Sequence, residues 1–211
     1  MHPWPPELLR YEDPHLLVVE KPAGMLAVPG RGADKQDCLA ARVAARWPDA
    51  RVVHRLDMAT SGLMLFARGA TRQRQLNGAF AARLVDKRYI AVVHGLVASD
   101  AGEIDAPMAA DWPNRPRQRI DAEHGRPALT RWRVLARDAA AARTRVELEP
   151  VTGRAHQLRV HLARLGHTIV GDALYGDDAG SEPRLLLHAT QLTFAHPHDG
   201  RACRFTSPPP F

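Results

Sequence analysis

The stretch His54-Arg55-Leu56-Asp57-Met58-Ala59-Thr60-Ser61-Gly62 sets a carboxylate beside an arginine and two small hydroxyl residues, with glycine at its exit. Loops on a rigid scaffold are where reactive groups are presented, and a carboxylate kept ionised by a nearby cation serves as a nucleophile or general base. The plainer role for Asp57 is to tie its own loop together by accepting backbone N–H bonds. His54, Asp57 and Ser61 include the residue types of a hydrolase triad, yet the glycines of a nucleophile elbow do not surround Ser61. His156 and His161 miss the i, i+4 spacing that sets two metal ligands on one helix face. His196 and His198 flank Pro197 in an expected turn, and Cys38 and Cys203 are too few for a cysteine metal site or a disulfide framework. No metal is expected.

The elements that must hold these residues are short. Leu16-Leu17-Val18-Val19 reads as a buried strand ended by Pro22 and Gly24. Leu39, Val43 and Trp47 recur at helical spacing until Pro48. Arg51-Val52-Val53 leads into the Asp57 loop and Gly62 to Ala67 leaves it as a second strand. A helix from about Thr71 to Leu84 carries Leu76, Phe80 and Leu84 on one stripe, and Tyr89 to Val93 forms the next strand. Residues 126–137 alternate, with Ala128, Thr130, Trp132 and Val134 on one face, and Val146, Leu148 and Pro150 continue the strand pattern. Thr152 caps an expected helix bearing Leu158, Leu162 and Leu165, ended by Gly166. Late strands are expected at 185–187, 191–194 and 203–205. Strands outnumber helices without regular alternation, which predicts an α+β fold on a mainly antiparallel mixed sheet with flanking helices.

The chain has 211 residues, 45% hydrophobic and 25% charged, suited to a single domain over 1–211 with irregular flanks at 1–10 and 206–211. No apolar run is long enough to span a bilayer and the start lacks a secretory signal, so a cytoplasmic protein with no membrane partner is expected. Lysine plus arginine exceed aspartate plus glutamate by 29 − 23 = +6. All but Lys21, Lys35 and Lys87 of those bases are arginines, the residue that grips phosphate bidentately and stacks on bases. They gather at 68–88, 111–137 and 154–164, which favours a polyanionic partner.

The central stretch, His-Arg-Leu-Asp followed by Thr-Ser-Gly, resembles the central motif of the RluA branch of pseudouridine synthases. Glu20-Lys21-Pro22-Ala23-Gly24 resembles that family's first motif, Lys87-Arg88-Tyr89 its Lys-x-Tyr element, and Gly153-Arg154-Ala155-His156-Gln157-Leu158-Arg159-Val160-His161 its third. Leu185-Leu186-Leu187-His188-Ala189 is similar to a late segment of the same family, and the order agrees throughout. Ala155 stands where serine or threonine is usual, and Glu20 where asparagine or aspartate is common. Val28-Pro29-Gly30-Arg31, Met58-Ala59 and Asp111-Trp112-Pro113-Asn114-Arg115-Pro116 narrow the likeness to the branch's dual-specificity members.

The resemblance implies a pseudouridine synthase catalytic fold around a central basic cleft, without an N-terminal S4 domain. It implies an isomerase that detaches uracil from C1′, rotates it and rejoins it through C5, a reaction that needs no cofactor. It implies Asp57 as nucleophile, attacking C1′ in preference to C6, and Arg159 as the cation paired with it. Tyr89 is implied as the ring stacked on the uracil and a candidate base for the C5 proton, and Arg55 as the side chain filling the space a flipped nucleotide leaves. Arg55, Lys21, Arg154, Arg115 and Arg117 are the expected RNA contacts. The implied partners of an expected monomer are stem-loops of tRNA and 23S rRNA. Two other readings are an inactive RNA-binding or chaperone module of the same fold and a metal-dependent nucleotide hydrolase.

Overall fold

The computed structural model describes residues 4–176 and 182–211, so the first three residues of the expected N-terminal flank lie outside the described part. Along it run β1 (Leu9–Glu12), β2 (Leu16–Lys21), α1 (Leu39–Arg46), β3 (Ala50–Val52), β4 (Ser61–Arg68), α2 (Gly69–Ala81) and β5 (Asp86–His94). There follow β6 (Ala101–Asp105), β7 (Met108–Ala110), β8 (Gln118–Ile120), β9 (Leu129–Asp138), β10 (Arg143–Pro150), α3 (Gln157–Arg164), β11 (Leu187–Ala195) and β12 (Ala202–Thr206). Strands dominate, as an α+β fold requires. The flank expectation is too wide at both ends, because Leu9 and Arg10 open β1 and Thr206 closes β12.

Two compact units arise from this order. One comprises residues up to Asp86 together with Ala189–Pro210. Its strands lie in the order β1-β2-β4-β11, with β3 added to β4 and β12 to β11. The pairs β1–β2, β2–β4, β3–β4 and β11–β12 are antiparallel. Leu16 to Val19 and Leu63 to Ala67 are buried on both strand faces, which is why they read as unbroken apolar runs rather than alternation. Leu16, Val18, Leu63 and Leu65 meet Leu76 of α2 and Leu192 and Phe194 of β11 in one core.

The α2 stripe stops earlier than its spacing predicts. The helix ends at Ala81, Arg83 turns left-handed at φ 60°, and the Leu84 amide donates back to the Ala79 carbonyl at 2.9 Å while the Arg83 amide donates to Phe80 at 3.2 Å. This reversal closes the helix and leaves Leu84 in solvent at 69% exposure, so it does not extend the stripe.

The second unit is Lys87–His188 with Phe211. Its main strands lie in the order β5-β10-β9-β6, all antiparallel, and β7–β8 form a separate hairpin. Thr144, Val146, Leu148 and Pro150 are the inward side of β10, and Thr130 and Trp132 that of β9. Arg131 and Arg133 point outward, to Glu103 and Glu147.

Thr152 does not cap α3. That helix starts at Gln157 behind His156, whose φ of 54° is left-handed. The Thr152 hydroxyl instead accepts the Leu129 amide at 2.9 Å and donates to Gln157 Oε1 at 2.8 Å. Gln157 Oε1 also takes the Arg154 amide, so a side chain inside the helix does the work expected of the residue before it. Leu158 and Leu162 are buried and Gly166, at φ 88°, ends the helix as its position suggests.

Candidate active site

In the first unit Asp57 sits on a tight turn between β3 and β4, half-buried, its carbonyl accepting the Thr60 amide at 3.1 Å. The loop is held on every side. Upstream, His54 Nε2 accepts the Leu65 amide at 3.0 Å while its ring stacks on Phe80 at 4.8 Å, so this histidine anchors the loop. Downstream, Gly62 enters β4 at φ 115°, and a Cβ there would lie 2.3 Å from the Ala189 carbonyl oxygen. Only glycine fits both demands.

Lys21 supplies the third hold. Expected as an RNA contact, it is fully buried, and its ammonium donates to the carbonyls of Pro22, Met25 and Met58 at 2.8, 2.7 and 2.9 Å. Met58 is the residue after Asp57, so this side chain fastens the first-motif loop to the Asp57 turn. The Gly24 amide reaches the same Met58 carbonyl at 2.9 Å. A buried ammonium is tolerated because its three N–H donors meet acceptors that would otherwise be stranded. Arg55 lies two residues before Asp57 and is exposed; among the described residues no hydrogen bond or ion pair pins its guanidinium. Asp57, Arg55 and Lys21 are thus gathered around one turn.

In the second unit Tyr89 lies half-buried near the start of β5, across from Leu148 of β10. Its neighbour Arg88 is ion-paired with Glu149. Arg159, on α3, is 4% exposed, and its guanidinium is gripped in bidentate fashion by Asp172, Nε to Oδ2 at 2.8 Å and Nη2 to Oδ1 at 2.6 Å. The Asp172 carboxylate is 1% exposed and also accepts the Leu174 and Tyr175 amides at 2.9 and 3.1 Å. The Tyr175 ring lies 5.1 Å below the guanidinium, and its hydroxyl accepts the Gln118 amide and meets His156 Nδ1, both at 2.8 Å. Planar charge, carboxylate fork and aromatic face together fix one orientation of Arg159.

Asp172 and Tyr175 were not singled out by the sequence. Their one signal is an acid straight after Ile169-Val170-Gly171, with tyrosine three residues on. Arg154 precedes α3 and donates from Nε to the Pro127 carbonyl at 3.0 Å. Arg115 and Arg117 are exposed on the β7–β8 hairpin.

Asp13 and His161 are among the titratable groups that the fold shifts. Burial works to raise the Asp13 carboxyl, but hydrogen bonds from the His15 and Leu16 amides and the Tyr11 hydroxyl outweigh it and hold it at about 2. Burial pushes the imidazole of His161 below its ordinary value. That ring lies between Thr130 Oγ1 at 2.9 Å and the Ala106 carbonyl at 3.1 Å.

Comparison with known proteins sets this arrangement in a lineage. A dual-specificity RNA pseudouridine synthase RluA of Vibrio cholerae is 48% identical over 189 residues, covering 89% of this chain and 76% of the relative. Its counterpart in Escherichia coli K12 is 44% identical over 211 residues, covering 99% of this chain and 95% of the relative. Among solved structures, human RNA pseudouridylate synthase domain containing 1 superposes with a TM-score of 0.80 at 31% identity, covering 100% of this chain and 87% of the other. Residues 15–164 match the RNA pseudouridylate synthase family, a span that holds the Asp57 turn, Tyr89 and Arg159, and the chain belongs to that family, in its RluA branch.

Proposed function

We propose that this RNA pseudouridine synthase isomerises an anticodon-loop uridine of tRNA and a loop uridine of 23S rRNA. The near full-length similarity to relatives named dual-specificity enzymes supports two RNA classes. The carrying observation for the chemistry is the Asp57 turn, clamped by Lys21, His54 and Gly62 so that the carboxylate has one backbone position.

In this reading the uridine is flipped out of its loop, because a stacked base leaves its glycosidic bond out of reach. Asp57 attacks C1′ as the N1–C1′ bond breaks, and the freed uracil keeps the bonding electrons. The base rotates, C5 bonds to C1′ as the Asp57–C1′ bond breaks and frees the carboxylate, and C5 loses its proton while N1 takes one up, so atoms and charge balance without a cofactor. Arg159 stabilises the ionised carboxylate; its rigid mounting on Asp172 suits a charge that must not wander. Tyr89 stacks on the uracil and takes part in removing the C5 proton. Arg55, exposed beside the turn, fills the vacated stack, and Arg154, Arg115 and Arg117 contact the RNA backbone. We place the reaction in the cytoplasm, in a monomer; Cys38 and Cys203 are free thiols, which suits a reducing compartment. No helix among the described residues is long and apolar enough to cross a membrane.

The test uses an anticodon stem-loop and a 23S rRNA stem-loop, each with tritium at C5 of the target uridine. Tritium release by the intact protein, abolished in Asp57→Ala and Asp57→Asn with RNA affinity kept, is the expected result. Absence of release from both substrates, or release undiminished in Asp57→Ala, refutes it.

A further inference from the structure

The hairpin β7–β8 carries an unusual tip. Its stem pairs Met108 with Ile120, Ala109 with Arg119 and Ala110 with Gln118. The tip is a 3-10 turn, Trp112–Asn114, closed by backbone hydrogen bonds from Asn114 to Asp111 at 3.1 Å, Arg117 to Asn114 at 3.0 Å and Asp111 to Arg117 at 3.0 Å. Trp112 stands in solvent at 67% exposure. The guanidinium carbon of Arg115 lies 3.6 Å from the centre of its ring, flat-packing distance for a cation on an indole. With Arg115 on one face and two-thirds of its surface in water, the indole offers its other face outward.

The base of the hairpin is rigid. Met108 and Ile120 pack with Ala128, Val160 and Tyr175, and the Gln118 amide donates to the Tyr175 hydroxyl. A loop tied this firmly cannot fold its tryptophan back into a core. The turn therefore holds a large aromatic side chain in water, with a flat ring face and a polar N–H turned to solvent.

Charge decides the occupant. Arg115, Arg117, Arg119 and Arg126 are exposed on the hairpin and the segment that follows it. Against them stand Asp111, which holds the Asn114 side chain at 2.9 Å, Asp121, which is paired with Arg119 at 2.9 Å, and the exposed Glu123. A flat π surface rimmed by arginine fits an unpaired base and its phosphates better than a protein face, since every base has a face to stack and each phosphate a charge to neutralise. We propose that Trp112 is a stacking platform for one unpaired base of the RNA substrate, with Arg115 bracing the ring from behind and Arg117 reaching the adjoining phosphate. This rests on the reading that the chain acts on RNA stem-loops, and it adds a residue outside the reacting centre that selects for loop over duplex. Because the root of the hairpin is bonded to Tyr175, which also underlies Arg159, a base seated at the tip bears on the same framework that orients that arginine.

The full-length parent, Trp112→Ala, Trp112→Phe and Arg117→Ala are titrated by fluorescence anisotropy against a labelled tRNA anticodon stem-loop and against a fully paired RNA duplex, over a series of KCl concentrations. Trp112→Ala is expected to bind the stem-loop roughly 5- to 100-fold more weakly, the scale of one lost base–aromatic stack. Its salt slope and its affinity for the duplex stay at the parent's values, and Trp112→Phe recovers part of the loss. Arg117→Ala instead flattens the salt slope by about 0.7–0.9, as one lost phosphate contact does. Trp112→Ala binding the stem-loop as the parent does, or weakening duplex and stem-loop alike, overturns the platform. If the parent still releases tritium from that stem-loop, only the platform falls; if it neither binds the stem-loop nor releases tritium, the proposed reaction falls as well.

Discussion

The pair Arg159–Asp172 offers the sharpest energetic test, because both side chains are within a few percent of complete burial and joined by two short bonds. Asp172→Ala removes the carboxylate that grips that fork and leaves the guanidinium undercompensated in a low-dielectric interior, a loss of about 3–5 kcal/mol. The same change removes the acceptor for the Leu174 and Tyr175 amides, worth about 1 kcal/mol each. The sum, about 5–7 kcal/mol, is comparable with the whole stability of many domains. At about 2–4 °C per kcal/mol for a chain of this size it lowers the melting temperature by about 10 °C or more. Urea unfolding followed by circular dichroism measures it. Asp172→Asn keeps an acceptor for the two amides and loses the charge, so it falls between parent and Asp172→Ala. The control is the double variant Arg159→Met with Asp172→Leu. Removing both charges abolishes the stranded ion, so the double variant is expected to be at least about 2 kcal/mol more stable than the two single losses summed. A cost below about 1 kcal/mol for Asp172→Ala, or strict additivity in the double variant, refutes the argument that this pair sets the local energetics.

Three further outcomes follow from the same geometry. Lys21→Met keeps the apolar stem but strands the carbonyls of Pro22, Met25 and Met58, and is expected to cost about 3 kcal/mol in urea unfolding. Tritium release should fall with it even where the protein remains folded, because the Asp57 turn loses its clamp. Gly62→Ala sets a methyl 2.3 Å from the Ala189 carbonyl oxygen at φ 115°, a loss of about 3 kcal/mol or more by thermal melting, whereas Gly78→Ala in α2, where a Cβ meets nothing within 4 Å, is neutral or stabilising. In acid, two groups act at different pH. His161 resists protonation in the folded state, so the unfolded chain binds the extra proton and stability declines as pH falls below about 6.5. Asp13, held at about 2 against an ordinary 3.8, contributes roughly 2 kcal/mol that is complete above pH 4 and disappears as pH falls through 2. Asp13→Asn should flatten the lower limb of the stability–pH curve and leave the upper one unchanged.

Local patterns carried the strands because burial writes itself into sequence. Leu16 to Val19 is apolar without interruption since both faces are covered, and β10 alternates since one face is not. The helix ends were less legible. Nothing in Arg83 announces a left-handed residue, and the reversal after Ala81 is decided by the Schellman-type bonds to Ala79 and Phe80. Thr152 has the chemistry of a cap but is needed by Leu129, a residue 23 positions upstream, so a tertiary partner overrides local preference.

The same distinction separates the legible from the hidden residues of the site. Asp57 and Arg159 stand in the short contiguous stretches that carry the family resemblance, so they are visible in the sequence. The residues that hold them are chosen by distance in space. Lys21 carries a charge, and charge in a basic chain suggests RNA; only the three carbonyls around its ammonium reveal that it is a structural clamp. Asp172 lies thirteen residues beyond Arg159, past the end of α3, where no helical spacing connects the two. A buried bidentate pair is expensive to form and costly to break, so a chain keeps one where orientation matters more than stability. By that reasoning the hidden carboxylate belongs with the arginine the sequence declares: Asp172 and the Tyr175 ring hold the plane of Arg159 in one orientation.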